Sequence, residues 1–414
     1  MTHSQQHRGS GCARLAGVAG LIILLATAIT AQAQTFTTLH SFTGGSDGAN
    51  PYAGLTMDQA GNLYGTAGYG GYTGGSCGSS GGCGIVFKLK HEASGWVLYP
   101  LYQFTGPDGA SPQARVIIGP DGNLYGTTTY GGTANQGTVF KLSPPPSACR
   151  SFLCPWRETV LYSFQGGSDG EQPQLADLVF DRQGNIYGTT PYGGTGSSCY
   201  QSCGVVYQLT PSNGGWTESI LYRFQGGNDG AYPFAGLIFD AAGNLYGAGE
   251  YGGANLYGVV YKLSPSEGGW TESVIYAFTA FSGEPYGGLI FDQAGNLYGV
   301  TSAINAGEPV VYELTPSDGA WTFNPLYTVS DAYQGSFAKL TMDPAGRLYG
   351  TIYEGGPEVF QLTPSDGQWT LTGFSGNAGA EPSDNVILDA SGNVYSTASA
   401  GGTYGKGVVF EITP

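Results

Sequence analysis

Aspartates and tyrosines that recur in similar short loops are the residues of this chain best suited to contact a ligand. An aspartate lies in a Gly-Ser-Asp-Gly sequence or a close variant at Asp47, Asp108, Asp169 and Asp229. A tyrosine precedes Gly-Gly, or Glu-Gly-Gly in the last case, at Tyr69, Tyr130, Tyr192, Tyr251 and Tyr353. An aromatic ring can cover the apolar face of a sugar, while carboxylates accept hydrogen bonds from its hydroxyl groups. We therefore predict these residues as a ligand-binding set, with carbohydrate as the ligand class.

Both the aspartates and the tyrosines of this set could instead have a purely structural role. Aspartates in such loops bond the backbone amides of their own turn, and a tyrosine before two glycines can pack over an adjacent loop. The predicted function is a non-catalytic binding or interaction module, for carbohydrate or for a cell-surface partner. The alternatives are a structural surface repeat protein and a polysaccharide lyase or glycoside hydrolase.

Signals for catalysis or for a metal centre are weak. After the first 33 residues the histidines are His40 and His91, which are too few for a histidine-rich metal site. A glycosidase needs a pair of carboxylates, and the sequence does not single one out. We predict no catalytic residue, no metal ligand and no cofactor, with calcium left open because aspartates recur in a second turn type. These are Asp58, Asp181, Asp240, Asp292, Asp343 and Asp389, in Asp-x-x-Gly-Asn turns or a close variant. An Asx-type turn is the favoured interpretation of that pattern.

The loops are positioned by a unit that repeats seven times. The glycine before the asparagine of this unit, or before its replacement, recurs at Gly61, Gly122, Gly184, Gly243, Gly295, Gly346 and Gly392. In the third unit, alternating apolar and aromatic runs predict strands over 159–164, 178–181, 185–190 and 204–209. Seven units of four strands predict an all-β protein, a seven-bladed β-propeller with four antiparallel strands in each blade.

The two ends of the chain complement each other. Residues 36–42 match the strand that ends each unit, and the seventh unit stops after its third strand. We therefore predict that the N-terminal strand closes the last blade and removes an exposed sheet edge. The strand of 178–181 and its equivalents should be innermost. The aspartate loops and the tyrosine loops should then share one face.

A leader and paired cysteines predict export. Residues 1–33 combine two arginines, an apolar run and an Ala-Gln-Ala cleavage sequence, so we predict a signal peptide, followed by the propeller over 34–414. Six cysteines follow in three close pairs: Cys77 with Cys83, Cys149 with Cys154, and Cys199 with Cys203. An even count in an exported chain favours three local disulfides over zinc. The predicted location is secreted, either extracellular or periplasmic.

The charge balance limits the partners. All 30 acidic residues follow Ala33 and two of the 14 basic residues precede it, so the exported chain carries a formal charge of −18. Such a charge disfavours nucleic acid. We predict a monomer without a membrane span after cleavage, whose partner is a polysaccharide or a surface protein.

The repeat also resembles a known family. Residues 184–190 (GNIYGTT), Tyr192-Gly193-Gly194 and residues 204–207 (GVVY) are similar to the signature of the GloVer repeats, tandem repeats of exported bacterial proteins. The resemblance covers residues 35–414 and implies a secreted or surface-associated propeller. It implies no catalytic residues.

Overall fold

Seven four-stranded antiparallel sheets, the blades, follow each other along the chain and are numbered here in that order. The computed structural model describes residues 34–146, 155–302, 308–328, 336–337, 339–353, 359–374, 380–382 and 384–413. Arg115 of blade 2 and Lys339 of blade 6 both contact Asp177 of blade 3. Side chains of non-adjacent blades can meet in this way only near a common axis, so the strands that follow these residues are innermost. The predicted seven-bladed β-propeller and its strand order are confirmed.

The strands have similar bounds in every blade. The innermost strands are Thr56–Met57, Ile117–Ile118, Val179–Phe180, Ile238–Phe239, Ile290–Phe291, Thr341–Met342 and Ile387–Leu388. The second strands are Leu63–Ala67, Leu124–Thr128, Ile186–Thr190, Leu245–Gly249, Leu297–Ser302, Leu348–Tyr353 and Val394–Ala400. The third strands are Ile85–Glu92, Thr138–Ser143, Val205–Ser212, Val259–Ser266, Val310–Ser317, Val359–Ser365 and Val408–Thr413. The outermost strands are Gly95–Gln103, Arg157–Ser163, Gly215–Arg223, Gly269–Ala277, Ala320–Thr328, Gln368–Phe374 and, for blade 7, Thr35–Ser41.

Shorter elements lie in the connections. They are the strands Gly170–Glu171, Tyr192–Gly193, Glu284–Pro285, Ser336–Phe337 and Ala380–Pro382 and the 3-10 helix Gly75–Ser80. The innermost strands are shorter than predicted because the chain turns at the aspartate that follows them. In blade 3, for example, the Asp181 amide already donates to the Asn185 carbonyl at 3.1 Å. Within the described residues no helix has the length and apolarity that a bilayer crossing requires.

The last blade is closed by the first strand of the described chain. Thr35–Ser41 pairs antiparallel with Val408–Thr413, starting from Thr35 opposite Thr413. The Phe36 and Phe410 rings stack with their centroids 4.7 Å apart. This confirms the closure predicted from the matching chain ends.

A glycine in each of the first six second strands makes room for a ring of the third strand. A Cβ at Gly188 would lie 2.6 Å from Tyr207 Cζ, and a Cβ at Gly126 would lie 2.7 Å from Phe140 Cζ. Neither distance is compatible with a real side chain, so the ring and the glycine require each other. The rings fill the space between adjacent blades, where Phe164 packs edge-on against Tyr207 with centroids 5.1 Å apart.

Hydroxyl groups tie neighbouring blades together. In four blades a threonine at the same place in the second strand donates to a carbonyl of the next blade, as from Thr189 Oγ1 to Ala235 at 3.0 Å and from Thr397 Oγ1 to Ala53 at 2.7 Å. The second of these bonds crosses from blade 7 to blade 1. The closure between blades 7 and 1 therefore uses a contact that also joins three other pairs of blades.

The Asp-x-x-Gly-Asn turns are Asx-type turns. In blade 3, Asp181 Oδ1 accepts from the amides of Gln183 and Asn185 at 2.8 and 2.9 Å. Asp181 Oδ2 accepts from Asn185 Nδ2 at 2.7 Å and from the Tyr187 hydroxyl at 2.9 Å. In blade 2, Gly119 replaces this aspartate. Asp121, two residues further along the chain, instead accepts hydrogen bonds from the equivalent asparagine and tyrosine, Asn123 and Tyr125. The carboxylates thus hold the turns in place.

Candidate binding face

Two sets of loops pair with each other on one side of the propeller. Ala49 bridges to Tyr69, Ala110 to Tyr130 and Ala231 to Tyr251, and Gly170–Glu171 pairs with Tyr192–Gly193. The first partner lies in each case in a loop between blades, and the second in a loop after a second strand. We call the surface formed by these two sets of loops the loop face. The prediction that they share one face is confirmed.

The four predicted aspartates accept hydrogen bonds inside their own loops. Asp169 accepts from the Tyr162 hydroxyl and the Gln165 amide at 2.9 Å each, and from the Gly170 amide at 2.7 Å. Asp108 and Asp229 accept in the same way from a tyrosine of the preceding outermost strand and from loop amides. At Asp47 the tyrosine is replaced by His40, whose Nε2 lies 3.1 Å from Oδ2. All four carboxyl groups are half-buried and brace the loops that carry them.

Tyr69 and Tyr130 line a cavity of about 790 Å³ between blades 1 and 2. Ser76, Ser80 and Cys83 contribute another wall, which comes from the loop after the second strand of blade 1. A disulfide between Cys77 and Cys83 closes this loop, as predicted. Tyr130 is 42% exposed, so its ring is accessible from solvent. The cavity combines an aromatic surface with hydroxyl and backbone groups, which is the composition of a small-molecule site.

A second aromatic group lies over blades 3 to 5. Tyr192 is 5.8 Å from Tyr232 and 6.0 Å from Phe234, measured between ring centroids. Tyr232 is in turn 6.4 Å from Tyr251, and Phe234 is 6.1 Å from Tyr286. We call these five residues the aromatic cluster. Two of them, Tyr192 and Tyr251, belong to the predicted set.

A pair of glutamates lies beside the aromatic cluster. Glu250 directly precedes Tyr251, and Glu284, which is 2% exposed, lies in the short strand Glu284–Pro285 that leads to Tyr286. Burial, together with the negative charge of Glu284, raises the pKa of Glu250 to about 7. The pair was not predicted, because Glu250 and Glu284 are far apart in the sequence and belong to different blades.

Most large apolar side chains that are exposed in the described chain lie on the loop face. Besides Tyr130 and Tyr251 they include Tyr72 at 43%, Tyr200 at 79%, Phe281 at 93% and Tyr404 at 59% exposure. The last four were not predicted as ligand contacts because they occupy variable loop positions. Their sequence feature, an aromatic residue in a variable loop between two glycine-rich strands, could have predicted them as exposed contact residues.

Another predicted disulfide, Cys199–Cys203, is also present; it lies on the loop face, in the loop that carries Tyr200. Cys149 and Cys154 lie outside the described residues. Tyr353 ends the second strand of blade 6, where its backbone pairs with Ser336. Among the described residues no three His, Cys, Asp or Glu side chains are grouped as a metal site requires.

Charged side chains meet where the blades converge. Arg115 donates from Nε and Nη2 to Asp177 Oδ2 at 3.1 and 2.9 Å, and Lys339 Nζ donates to the same oxygen at 2.6 Å. Asp384 accepts from the amides of Gly54 and Asn385 at 2.7 Å each. We call Arg115, Asp177, Lys339 and Asp384 the axial cluster. It was not predicted, since its members come from four different blades.

Solved structures with the same fold have little sequence in common with the chain. The surface component PorZ of the type-IX secretion system of Porphyromonas gingivalis has 12% identity and a TM-score of 0.53, over 87% of this chain and 46% of that one. A candidate 6-phosphogluconolactonase from Bacteroides fragilis has 15% identity and a TM-score of 0.51, over 79% and 85%. A gluconolactonase from Xanthomonas campestris has 15% identity and a TM-score of 0.43, over 92% and 89%. At such identities the likeness concerns the fold alone.

Sequence comparison is more specific. No curated protein sequence matches the chain significantly. The family model described as the Gloeobacter/Verrucomicrobia repeat matches residues 25–198 and 153–359, which together make up most of the chain and most of its blades. Together with the seven repeated blades, this match shows that the chain belongs to the Gloeobacter/Verrucomicrobia (GloVer) repeat family.

Proposed function

We propose that this protein is a secreted, non-catalytic binding module whose loop face binds carbohydrate. The observation that carries the proposal is the cavity of about 790 Å³ between Tyr69 and Tyr130. Its size suits a short stretch of saccharide. The half-exposed Tyr130 ring offers the flat apolar surface on which a sugar can stack, while Ser76 and Ser80 offer hydroxyl groups.

The rest of the loop face supports an extended ligand. The aromatic cluster and the exposed rings of Tyr200 and Phe281 continue the aromatic surface beyond blades 1 and 2. Exposed aromatic rings are costly to leave in water, and their concentration on one face is typical of an interaction site. A polysaccharide that crosses several blades would contact several of these rings at once.

The predicted aspartates have a positioning role in this proposal. Their oxygens already accept hydrogen bonds from their own loops, and this fixes the backbone beside each tyrosine. The tyrosines then make the direct contacts. In the cavity wall, the Cys77–Cys83 disulfide restrains a further loop. A face that is rigid before binding loses less conformational entropy when the ligand arrives.

Export is part of the proposal. Two disulfides on the loop face fit an oxidising compartment, and the resemblance to the repeat family implies export as well. Residues 1–33 would be removed as a signal peptide, which mass spectrometry of the protein recovered from the periplasm and the culture medium would establish. A cytoplasmic protein that retains these residues would contradict this part of the proposal.

The binding test is a calorimetric titration of the purified protein with a panel of polysaccharides, with and without calcium. We expect saturable binding, and a Tyr130→Ala variant about tenfold or more weaker, because about 1.5–3 kcal/mol accompanies the burial of a large side chain. Tyr99→Ala is the matched control. Tyr99 is 41% exposed, close to the value for Tyr130, but it lies on the outermost strand of blade 1.

Equal affinities for the two variants would show that the aromatic loop face is the wrong site. The absence of binding to any saccharide would favour a structural or protein-binding role. Binding that requires calcium would add a metal to the site.

A glycoside hydrolase or lyase is the second candidate, and one observation favours it. With a pKa near 7, Glu250 keeps its proton at mildly acidic pH, as a general acid must. Its neighbour Glu284 is a second carboxyl group, and the aromatic cluster borders both. Product release from a polysaccharide that stops in a Glu250→Gln variant would support this activity. Product release that continues unchanged would exclude Glu250 from it.

A further inference from the structure

The position two residues before each innermost strand differs among repeats that are otherwise similar. The seven residues at this position are Gly54, Arg115, Asp177, Gly236, Gly288, Lys339 and Asn385. Three blades have glycine there, so the fold does not demand a charged side chain at the axis. Arginine, aspartate and lysine are therefore departures from the repeat that need a reason of their own.

The departures form one connected group. Arg115, 22% exposed, and Lys339, 17% exposed, converge on one oxygen of Asp177, which is 7% exposed. Buried ion pairs contribute little to stability on average, because desolvation offsets the attraction. Stability alone is thus a weak explanation for charges placed where glycine suffices.

A small pocket leads from the loop face to this group. It has a volume of about 40 Å³ and is lined by Phe234, Gly236, Tyr286, Lys339 and Asp384, among others. The glycine at 288 lets the lysine stem lie close to the wall, since a Cβ there would be 3.0 Å from Lys339 Cδ. The volume exceeds the roughly 30 Å³ of one water molecule but is too small for a sugar ring. A single polar group of a larger ligand can enter.

The electrostatics of the pocket favour a negative group. Lys339 has three N–H donors, and its contact with Asp177 uses one of them. Burial, followed by the charge of Asp177, raises the pKa of Asp384, and both oxygens of this carboxyl group already accept from backbone amides. Arg115 and Lys339 both pair with the Asp177 carboxylate. The pocket lining thus presents the Lys339 ammonium group beside a carboxyl group that is already bonded, whereas the protein as a whole is strongly acidic.

The mouth of the pocket is aromatic. Phe234 and Tyr286 line it with their ring centroids 6.1 Å apart, and both belong to the aromatic cluster. A ligand that stacks on these rings would hold a substituent directly over the pocket. An exocyclic group on a sugar ring has this geometry.

We propose that the pocket binds the carboxylate of an acidic sugar, with Lys339 as its partner and the sugar ring resting against Phe234 and Tyr286. The proposal rests on the saccharide-binding function above and makes it specific, because the ligand is then a polyuronate or another saccharide with carboxylate groups. Asp177 and Arg115 are positioning residues that hold the lysine in the channel.

The test is a calorimetric comparison of two ligands that differ only in charge. They are a tetrasaccharide of galacturonate and the same tetrasaccharide with every carboxylate methyl-esterified. A charge-assisted hydrogen bond corresponds to a factor of about ten or more in affinity, so we expect the ester to bind at least tenfold more weakly. This comparison uses the unaltered protein and is independent of whether any variant folds.

Two variants then assign the preference to the lysine. Lys339→Met should bind acid and ester alike, and Lys339→Arg should keep the preference. Lys262→Met is the control, because Lys262 is also half-buried but lies over the Tyr246 ring in blade 4. Equal binding of the two ligands by the unaltered protein would overturn the proposal, as would a full preference in folded Lys339→Met. In either case the proposed saccharide function would stand, whereas a failure of all saccharides to bind would remove both.

Discussion

Replacing Asp177 with asparagine keeps the shape of the side chain but removes the charge on which Arg115 and Lys339 converge. Removal of one partner from a buried ion network costs about 3–5 kcal/mol, because the other charges stay buried without compensation. Here Arg115 and Lys339 keep 22% and 17% exposure, so water can solvate them in part. We therefore expect the lower end of the range, about 3 kcal/mol.

Thermal and urea unfolding would measure this loss. A chain of this length unfolds with an entropy of about 0.8 kcal/mol per kelvin, so 3 kcal/mol corresponds to a fall in Tm of roughly 4 °C. Asp366→Asn is the control. It removes the same charge from an exposed hairpin turn and should change stability by less than about 0.5 kcal/mol.

A third variant separates charge from packing. Replacing Arg115 and Lys339 with methionine and Asp177 with leucine removes the three charges that meet at Asp177 Oδ2 at similar volume, and such replacements are commonly neutral or stabilising. We expect this protein to be more stable than Asp177→Asn. If Asp177→Asn matched the control, or if the triple variant were equally unstable, uncompensated charge would not be the cause.

Three further predictions concern the blades. Tyr207→Phe should raise stability by about 1 kcal/mol, because the buried Tyr207 hydroxyl has no partner among the described residues and blade 2 has Phe140 at this position; a loss in urea unfolding would contradict this. Gly188→Ala should lower stability by about 2 kcal/mol or more, because the new methyl group would collide with the Tyr207 ring. An unchanged melting curve would disprove the requirement for glycine. Burial, together with the charge of Asp169, raises the pKa of Glu218 from 4.5 to about 7. Between these two pH values the folded protein holds a proton on Glu218 that the unfolded chain releases, so the free energy of unfolding should fall as pH rises from 4.5 to 7. Glu218→Gln should make that fall shallower, and an identical pH profile would refute the assignment.

The strands and turns were predictable because each is set by residues close together in the sequence. Alternating apolar residues set the third and outermost strands, and Asp181, Gly184 and Asn185 specify a turn within five residues. Repetition then determined the architecture, since seven similar units can bury their faces only against each other. Boundaries moved by one to three residues: in blade 3 the innermost strand ends at Phe180, where the turn begins, whereas the third strand continues beyond its predicted end to Ser212.

The contents of the axis and of the loop face were harder to predict. Arg115, Asp177 and Lys339 meet only because the ring closes, and they are 62 and 162 residues apart along the chain. The aspartate loops show the same limit on a smaller scale. The sequence left ligand contact and turn formation open for Asp169, and only the structure shows the Tyr162 hydroxyl seven residues earlier as its partner.

The pairing of Thr35 with Thr413 has a consequence for the order in which the protein can be completed. A ribosome makes the first of these strands before every blade and the second after nearly all of them, so blade 7 cannot form until synthesis of the chain is almost complete. Until then the first strand has an unsatisfied edge that could join another chain. Completion of the ring is thus linked to the end of synthesis, and a chain cut short in blade 7 would leave both the first strand and the last blade interface open to proteolysis.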